Sequence, residues 1–385
     1  MLTGDELNNW IEIDEHRLAG NFRVLQEAAG DATEVLAVVK ANAYGHGAET
    51  CAPLLVRAGA RWLGVTCASE GVRVRGAAGP GPEILIMCGF LAEDVRSIVE
   101  HGLTPVVWTA EQVGWLDEGA RIHVEVDTGM GRQGVSPGVE LVALLERIAE
   151  AGLVVDGLLM HFCSSEVAGS ELTQRQERLF EGAVAQVRAA GLRPAWVHAG
   201  NSSTLDNPAQ GWPWLVELAA TVGARAMVRS GLALYGYALK IEGEGVAQVR
   251  EKLTPVMTWK AHVLAVRDLA AGETVGYNAT FTAKEPMRVA VLGVGYADGL
   301  RRELSSKANE SGGWVMLKGR RAAILGRVSM NLTVVDVTGI VFSGGAAVKA
   351  GDEATILGDG ITADDHARIA GTIAYEIVCG VHPCG

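Results

Sequence analysis

The chain has 385 residues, of which 49% are hydrophobic, and a formal net charge of −12. This length allows a large α/β barrel and a second domain, each with its own core. The acidic balance, without a basic stripe, argues against nucleic-acid binding, so we expect a small-molecule ligand. No apolar stretch of the sequence is long enough to span a membrane and the start lacks a secretory signal pattern, which predicts a cytoplasmic protein.

Eight short apolar runs alternate with amphipathic segments through the first part of the chain. They cover residues 35–39, 62–65, 84–87, 105–107, 123–126, 157–160, 195–197 and 226–228. Strand–helix alternation is typical of a parallel sheet, and eight such units close a (β/α)8 barrel. The segment 10–30, which precedes the first run, is predicted to be a helix.

The pattern changes after about residue 252, where apolar and polar residues alternate. Such runs cover residues 256–263, 288–294, 313–317, 322–328, 332–337 and 353–357. Period-two alternation bounded by glycine and aspartate turns indicates antiparallel strands. We therefore predict an α/β protein with a (β/α)8 barrel over residues 1–245 and a mainly β domain over residues 246–385.

The six cysteines are scattered along the chain without paired CxxC spacing: Cys51, Cys67, Cys88, Cys163, Cys379 and Cys384. This spacing indicates neither a zinc site nor a disulfide framework. No metal is expected.

Lys40 follows the first apolar run directly, and Asn42, Tyr44 and His46 then alternate with small residues. The carboxyl ends of strands are where ligands bind in parallel α/β folds. A lysine desolvated there can act as a nucleophile or a general base near neutral pH. An isolated lysine would more simply be a solvated strand end, but the polar cluster after it favours a functional role.

Two short turns that follow late strands are candidates for binding a phosphate: residues 198–202, His-Ala-Gly-Asn-Ser, and residues 229–232, Arg-Ser-Gly-Leu. Phosphates are commonly bound by backbone amides at glycine-rich turns and helix starts. Such turns are frequent in any protein, but phosphate sites of barrel enzymes tend to follow the last strands.

The string VVKANAYGHG at residues 38–47, the HxxNS segment at 198–202 and the RxGxxxYG segment at 229–236 resemble motifs of the alanine racemase family. The resemblance runs over essentially the whole chain, in the family's order. It implies pyridoxal 5′-phosphate as cofactor, carried on Lys40. It also implies phosphate contacts from Tyr44, Ser202, Gly231 and Leu232.

The resemblance assigns Arg229 as the partner of the cofactor's ring nitrogen, with His161 beside it. Because an arginine does not give up its proton, the ring would stay unprotonated and be a poor electron sink. This favours simple proton exchange at Cα over transamination or elimination. Without the resemblance, Arg229 could pair with a nearby acid, and His161 could be an ordinary buried polar group.

Racemisation requires acid–base groups on opposite faces of a planar carbon. The resemblance implies Lys40 for one face and Tyr277 for the other, the tyrosine coming from the second subunit of a homodimer with shared active sites. A tyrosine in a turn is otherwise more often a packing residue. A phenol needs positive neighbours or hydrogen-bond donors to act as a base, and we expect His161 and Arg229 to supply them.

The substrate carboxylate is expected to contact the guanidinium of Arg132, whose fork suits a carboxylate. By resemblance, Met330 and Asn331 lie near that carboxylate, Tyr296 lines the entrance, and Tyr375 contacts the phosphate and lines the entrance as well. Bulky aromatic residues at the entrance favour a small amino acid such as alanine.

Two positions depart from the family pattern. Glu125 stands where many members have a carbamylated lysine that orients the arginine at Arg132. Glu125 could orient Arg132 directly, act through a bridging water or anion, or be a solvent-facing acid. Asn331 replaces an aspartate, and because an amide can donate where a carboxylate only accepts, the substrate range is left open.

The leading interpretation is a racemase that interconverts L-alanine and D-alanine. The alternatives are a serine or broad-specificity amino-acid racemase and a non-enzymatic pyridoxal-phosphate carrier. A decarboxylase is disfavoured because such enzymes pair the ring nitrogen with an acid. The resemblance leaves open whether the D-amino acid serves cell wall biosynthesis or the enzyme is catabolic.

Overall fold

The computed structural model describes residues 8–207, 212–243, 247–306, 312–341 and 345–383. They form two compact units. Glu15–Thr254 make up the first, here called the barrel unit, while the described residues up to Asp14 join the chain from Pro255 onward in the second, the β unit. The division therefore differs from the predicted one at residue 245, which itself lies outside the described residues.

The barrel unit contains the predicted closed barrel of eight parallel strands, and its last strand pairs with its first. All six residues of the first barrel strand are buried, as expected for a strand covered on both faces. The strands are β2 (Thr33–Val38), β3 (Trp62–Val65), β4 (Glu83–Ile86), β5 (Thr104–Val107), β6 (Arg121–Glu125), β7 (Val154–Leu159), β8 (Trp196–His198) and β9 (Arg225–Ser230), where β1 belongs to the other unit.

Helices alternate with these strands, and the longer ones bury an apolar face. In the longest of them, Phe180, Val184 and Val187 lie on the buried face, and the Ser170 side chain caps the start by accepting from the Thr173 amide. The helices are α1 (Glu15–Ala29), α2 (Lys40–Tyr44), α3 (Ala48–Arg57), α4 (Ala68–Ala78), α5 (Val95–Glu100), α6 (Ala110–Gly114), α7 (Val139–Glu150), α8 (Glu171–Ala189), α9 (Ser202–Asp206) and α10 (Trp212–Ala220).

The β unit is built around one long strand, β10 (Met257–Leu269), in which Met257, Trp259, Ala261 and Val263 alternate with less buried residues. The sheet order is β15-β14-β17-β10-β13-β16, and β1 also pairs with β10. The remaining elements are β1 (Asn9–Ile13), β11 (Thr274–Val275), β12 (Phe281–Thr282), β13 (Met287–Leu292), β14 (Trp314–Leu317), β15 (Arg320–Ala323), β16 (Thr333–Asp336), β17 (Glu353–Leu357), α11 (Ala363–Ala370) and α12 (Ala374–Cys379).

The prediction of one helix over residues 10–30 is wrong at its start. Asn9–Ile13 is strand β1, which pairs antiparallel with Met257–Ala261 of β10, and the helix begins at Glu15. The physical reason is the pairing with β10, since the period-two pattern of Ile11, Glu12 and Ile13 spans only three residues and is too short to indicate a strand by itself. No helix among the described residues is long and apolar enough to cross a membrane.

Candidate active site

Lys40 begins a turn with an unusual backbone at the carboxyl end of β2. The next four residues, Ala41 to Tyr44, have φ values of 52°, 54°, 54° and 52°, the left-handed helical region. This conformation costs roughly 1–2 kcal/mol per non-glycine residue, so neighbouring groups must hold it. The Ala41 amide donates to a Glu70 carboxylate oxygen at 2.8 Å, and the Asn42 side chain accepts from the Ala48 amide at 2.9 Å. The strained turn holds Lys40 half-buried at the barrel mouth.

The rings of Tyr235 and His46 pack together beside this turn and form hydrogen bonds to the backbone there. The Tyr235 hydroxyl donates to the Val38 carbonyl at 3.0 Å, just before Lys40. The His46 ring lies 4.5 Å from the Tyr235 ring, and its Nδ1 lies 2.9 Å from the Tyr44 carbonyl oxygen. Burial lowers the pKa of His46 to about 4, so this imidazole is neutral at physiological pH. His46 therefore acts as packing and hydrogen bonding for the turn.

The two predicted phosphate segments meet beside Tyr44. The Ser202 hydroxyl accepts from the Gly231 amide at 3.0 Å and from the Ala233 amide at 3.3 Å, and it lies 3.1 Å from the Ser230 hydroxyl. A Cβ at Gly231 would lie 2.2 Å from the Tyr44 hydroxyl oxygen, so this position accepts only glycine. Hydroxyl groups and backbone amides, including that of the adjacent Leu232, thus gather at the ends of β8 and β9.

Arg229 is buried in β9 and has partners on both branches of its guanidinium. Nη2 donates to the Met160 carbonyl at 2.7 Å and lies 3.0 Å from His161 Nδ1, while Nη1 lies 3.3 Å from His198 Nδ1. Because a guanidinium only donates, both imidazole nitrogens accept. Burial lowers the pKa of Arg229 to about 10, and Glu125 opposes this shift, so Arg229 is a cation at neutral pH.

His161 is a neutral imidazole in this setting. Burial and the positive charges of Arg229, Arg132 and Lys40 lower the pKa of His161 to about 3. The same charge effects indicate that Lys40, Arg132 and Arg229 surround one site. Sequence analysis predicted this grouping, and the structure brings these four side chains together in the barrel unit.

Glu125 is only 4% exposed at the end of β6, so the interpretation as a solvent-facing acid is wrong. Its carboxylate accepts a hydrogen bond from the Gln133 side chain, whose amide nitrogen also donates to the Met87 carbonyl at 2.8 Å. Burial raises the pKa of Glu125, whereas the Gln133 bond and the charges of Arg229 and Arg132 lower it. The Gln133 side chain thus acts as an amide clip that holds the buried Glu125 carboxyl group beside Arg132 and Arg229.

Arg132 is exposed on the loop that follows β6. The loop is shaped by Asp127, whose carboxylate accepts from the amides of Gly129 at 2.9 Å and Gly131 at 3.1 Å. At Gly134 a Cβ would lie 2.6 Å from the Asp127 nitrogen, which keeps the two ends of the loop in close contact. The loop presents Arg132 beside Glu125 without burying its guanidinium.

The predicted residues of the β unit lie on three adjacent loops, residues 276–279, 295–299 and 326–332. The Tyr296 amide donates to the Ser329 carbonyl at 3.0 Å, and a Cβ at Gly326 would lie 2.6 Å from the Val275 carbonyl oxygen. Tyr277, Tyr296 and Met330 are 67%, 42% and 56% exposed, and Asn331 is exposed as well. Tyr375 is half-buried on α12. The three loops thus present aromatic and polar side chains outward.

Sequence analysis missed Gln133 and the supporting residue Glu70, and it included Tyr235 only as part of the RxGxxxYG segment, without a role of its own. Gln133 lies one position after Arg132, and nothing in its local sequence distinguishes it from an ordinary loop residue. A signal for β6 did exist: His123 and Glu125 alternate with Ile122 and Val124, which places two polar side chains on the same face of a buried strand.

Two family models match the chain. The model described as alanine racemase, N-terminal domain, matches residues 13–239, and the model described as alanine racemase, C-terminal domain, matches residues 256–384. The alanine racemase of Symbiobacterium thermophilum is 36% identical over 384 residues, which cover 97% of this chain and 94% of that protein.

Solved structures agree with the sequence matches. The alanine racemase from Streptomyces coelicolor A3(2) has a TM-score of 0.83 and 31% identity, and the match covers 98% of this chain and 97% of that one. The alanine racemase from Bartonella henselae, solved with covalently bound pyridoxal phosphate, has a TM-score of 0.80 and 27% identity, with 97% of each chain covered. The chain described above therefore belongs to the alanine racemase family.

Proposed function

We propose that this protein is a pyridoxal-phosphate-dependent racemase that interconverts L-alanine and D-alanine. One observation carries the proposal: Lys40, Arg229, His161 and Ser202 converge at one barrel mouth in a chain whose two halves both match the alanine racemase family. The lysine is the only one of these four groups with a primary amine that can condense with an aldehyde to form an imine.

The residues at the mouth fit pyridoxal phosphate. The Lys40 amine suits the aldehyde carbon, and the Ser202 hydroxyl with the amides of Gly231 and Leu232 suits a phosphate. The missing side chain at Gly231 lets the Tyr44 hydroxyl lie directly against the Gly231 backbone, next to these amides. When bound, the cofactor acidifies the Cα–H of the amino acid attached to it.

We assign Lys40 and Tyr277 as the two proton-transfer groups. Lys40 removes or returns the Cα proton on one face of the substrate, and Tyr277 does so on the other face. Exchange through both groups inverts the configuration at Cα, because the proton that leaves one face is replaced on the opposite face. This assignment is supported by the position of Lys40 at the mouth and by the exposed position of Tyr277 on its loop.

Arg229 and His161 control charge at the site. Arg229 is assigned to the ring nitrogen, where a cation that keeps its own proton prevents protonation of the ring. An unprotonated ring favours simple proton exchange at Cα over transamination or elimination. The hydrogen bonds of Arg229 to Met160 and to two imidazoles fix its direction before any ligand binds.

Arg132, Met330, Asn331 and Tyr296 are proposed to bind the substrate. The guanidinium of Arg132 would bind the carboxylate, and the bulk of Tyr296 and Tyr375 would limit the side chain to a small group. Tyr375 is proposed to contact the phosphate as well. Asn331 can donate a hydrogen bond, which favours serine as the second candidate substrate because its hydroxyl can accept one.

The exposed loops of the β unit support a homodimer with shared active sites. Aromatic side chains such as Tyr277 and Tyr296 are enriched in subunit interfaces. We propose that Tyr277 of the partner subunit completes the site around Lys40. The absence of a helix suited to spanning a membrane among the described residues is compatible with the proposed cytoplasmic location.

The function is tested with the purified protein supplied with pyridoxal phosphate. We expect visible absorbance that survives dialysis and racemisation of L-alanine above L-serine and L-lysine. Serine as the best substrate would support the second candidate, and alanine ranking last would contradict the proposal. Tightly bound cofactor without racemisation of any amino acid would instead indicate a carrier.

A further inference from the structure

A column of polar side chains runs through the barrel interior beneath Arg229. Arg229 Nη1 lies 3.3 Å from His198 Nδ1, and His198 Nε2 lies 2.9 Å from His123 Nδ1. His123 Nε2 lies 3.6 Å from an Asp156 carboxylate oxygen, to which Arg121 donates at 2.8 Å. Both imidazoles are 0% exposed, whereas the Arg121 side chain is 50% exposed at the start of β6. The column thus extends from the barrel mouth toward its opposite end.

The groups at the two ends of the column determine in which direction its hydrogen bonds are donated. Arg229 can only donate, so the neutral His198 ring must accept at Nδ1 and carry its hydrogen on Nε2. That hydrogen is donated to His123 Nδ1, so the His123 hydrogen is also on Nε2. It points at Asp156, which as a carboxylate can only accept. The donor-only Arg229 therefore sets both tautomers, and the Asp156 carboxylate, 3.6 Å from His123 Nε2 and beyond hydrogen-bond distance, favours the same arrangement electrostatically.

Close packing inside the barrel restricts the position of the His123 ring. A Cβ at Gly157 would lie 2.4 Å from His123 Nδ1, so the neighbouring strand must carry a glycine there. The Trp62 ring packs 5.3 Å from the His123 ring. Burial lowers the pKa of both His123 and His198, so neither ring holds a second proton at neutral pH. A second proton on His198 would set an N–H against the N–H of Arg229.

We propose that His123 and Asp156 are positioning residues for the racemase site, which fix the Nε2–H tautomer of His198 so that its Nδ1 always accepts from Arg229. The proposal rests on the proposed function only in assigning Arg229 to the cofactor ring. Remote side chains that fix the tautomer and direction of a functional group are known to change activity by about 10-fold or more.

The most direct variant is Asp156→Asn. The amide can turn its NH2 group toward His123, which would move the hydrogen of His123 to Nδ1 and, in turn, that of His198 to Nδ1, facing Arg229. Glu83→Gln is a matched control, because Glu83 also pairs with Arg121, at 3.6 Å, but is not part of the column of imidazoles. A loss that only reflects a weaker Arg121 ion pair would appear in both variants.

The readouts are histidine tautomers, observed by 15N-detected NMR of the full-length protein with and without pyridoxal phosphate, and kcat and KM for alanine. We expect Nε2–H tautomers for His123 and His198 in the native protein. In Asp156→Asn we expect Nδ1–H forms and a fall in kcat of about 10-fold, with KM changed less than about 2-fold. Glu83→Gln should leave the tautomers and kcat unchanged.

An Nδ1–H tautomer of His198 in the native protein would overturn the proposal, and this measurement needs no variant to fold. An unchanged kcat in Asp156→Asn whose tautomers have moved would also overturn it. Native protein with the expected tautomers but no alanine racemisation would contradict the proposed function alone, so the two failures are distinguishable.

Discussion

The barrel unit and the β unit prepare their parts of the candidate site in opposite ways. The barrel buries Ser202, Tyr44 and Arg229, which are 3%, 7% and 6% exposed. Ser202 accepts a hydrogen bond from the Gly231 amide, and Arg229 forms one to His198. In the β unit, Tyr277 and Met330 are exposed on loops. One region fixes its polar groups as it folds, while the other leaves these side chains exposed.

This difference shows at which stage each unit spends free energy to order its part of the site. Burying Arg229 and holding a left-handed turn after Lys40 both cost free energy, which the barrel's packing offsets during folding. Exposed side chains on loops cost little in the separate unit, and in the proposed homodimer ordering them would be deferred until the partner subunit covered them. Cofactor binding should thus depend mainly on the barrel, and two-faced proton exchange should depend on both units.

Removing the amine is the largest expected change. Lys40→Ala should abolish the visible absorbance of bound cofactor and lower racemisation by at least about 10³-fold, because the covalent attachment and one proton-transfer group are both lost. Absorbance spectra after dialysis and racemisation assays check this. Lys252→Ala, an exposed lysine of the same unit, serves as the control and should behave as wild type. A Lys40→Ala protein that keeps its colour would contradict the role of the barrel mouth.

Tyr277→Phe should separate the two units' contributions. We expect normal cofactor absorbance, because the barrel is unchanged, and racemisation lowered by about 10²–10⁴-fold, since one proton-transfer group is missing. In deuterated water, one enantiomer of alanine should still exchange its Cα hydrogen through Lys40, while the other should not. Full activity in both directions would show that the β unit supplies no base.

Acid should destabilise the barrel unit more than the β unit. Burial lowers the pKa values of four histidines in the barrel unit: His46, His123, His161 and His198. In the β unit, burial lowers the pKa of His366. Between the lowered folded pKa values and the unfolded value near 6.5, the unfolded chain binds protons that the folded chain does not, so stability falls as pH falls.

At pH 5 each histidine that stays neutral should cost about 2 kcal/mol of the free energy of unfolding relative to pH 7. Urea unfolding at both pH values measures the total, and hydrogen exchange corrected for intrinsic rates assigns it to each unit. His46→Asn, which keeps a donor for the backbone carbonyls, should lessen the loss. Equal protection of the barrel at both pH values would argue against neutral buried rings.

The smallest expected effect concerns the Glu125 carboxyl group at the barrel mouth. Glu125→Gln keeps the shape of the side chain but removes the ionisable carboxyl group that interacts with Arg132 and Arg229. We expect KM for alanine to change by roughly 5-fold, about 1 kcal/mol, with cofactor absorbance intact. The exposed Glu146→Gln is the control. An unchanged KM would show that the amide clip is purely structural.

The fold was largely predictable because its signals are local. Eight apolar runs marked the barrel strands, and period-two alternation marked the β unit. The exception is instructive: strand β1 pairs with residues 257–261 of β10, and a strand whose partner lies so far along the chain has little local signature. The position of residues 9–13 is set by that distant partner rather than by their own propensity.

The candidate site was predictable only where chemistry and strand ends coincide. Lys40, Arg229 and the turn at Ser202 follow that rule. Gln133 could not be singled out, and for His123 the alternation within β6 indicated only a polar face. The importance of each depends on what faces it: Glu125 for the first, and His198 and Asp156 for the second. The left-handed turn after Lys40 contains no glycine in Ala41 to Tyr44, and a single Asn42 before Gly45 does not predict four successive left-handed residues.

The central claim is that the barrel of one subunit and the β unit of another complete each site, and mixed dimers test it most directly. Lys40→Ala and Tyr277→Phe chains, each inactive alone, are co-expressed with different tags, and the dimer that carries both tags is purified. If sites are shared across subunits, one site of the mixed dimer holds both substitutions and the other holds neither, so about half of the wild-type activity should return. A mixed dimer no more active than its parents would contradict the claim.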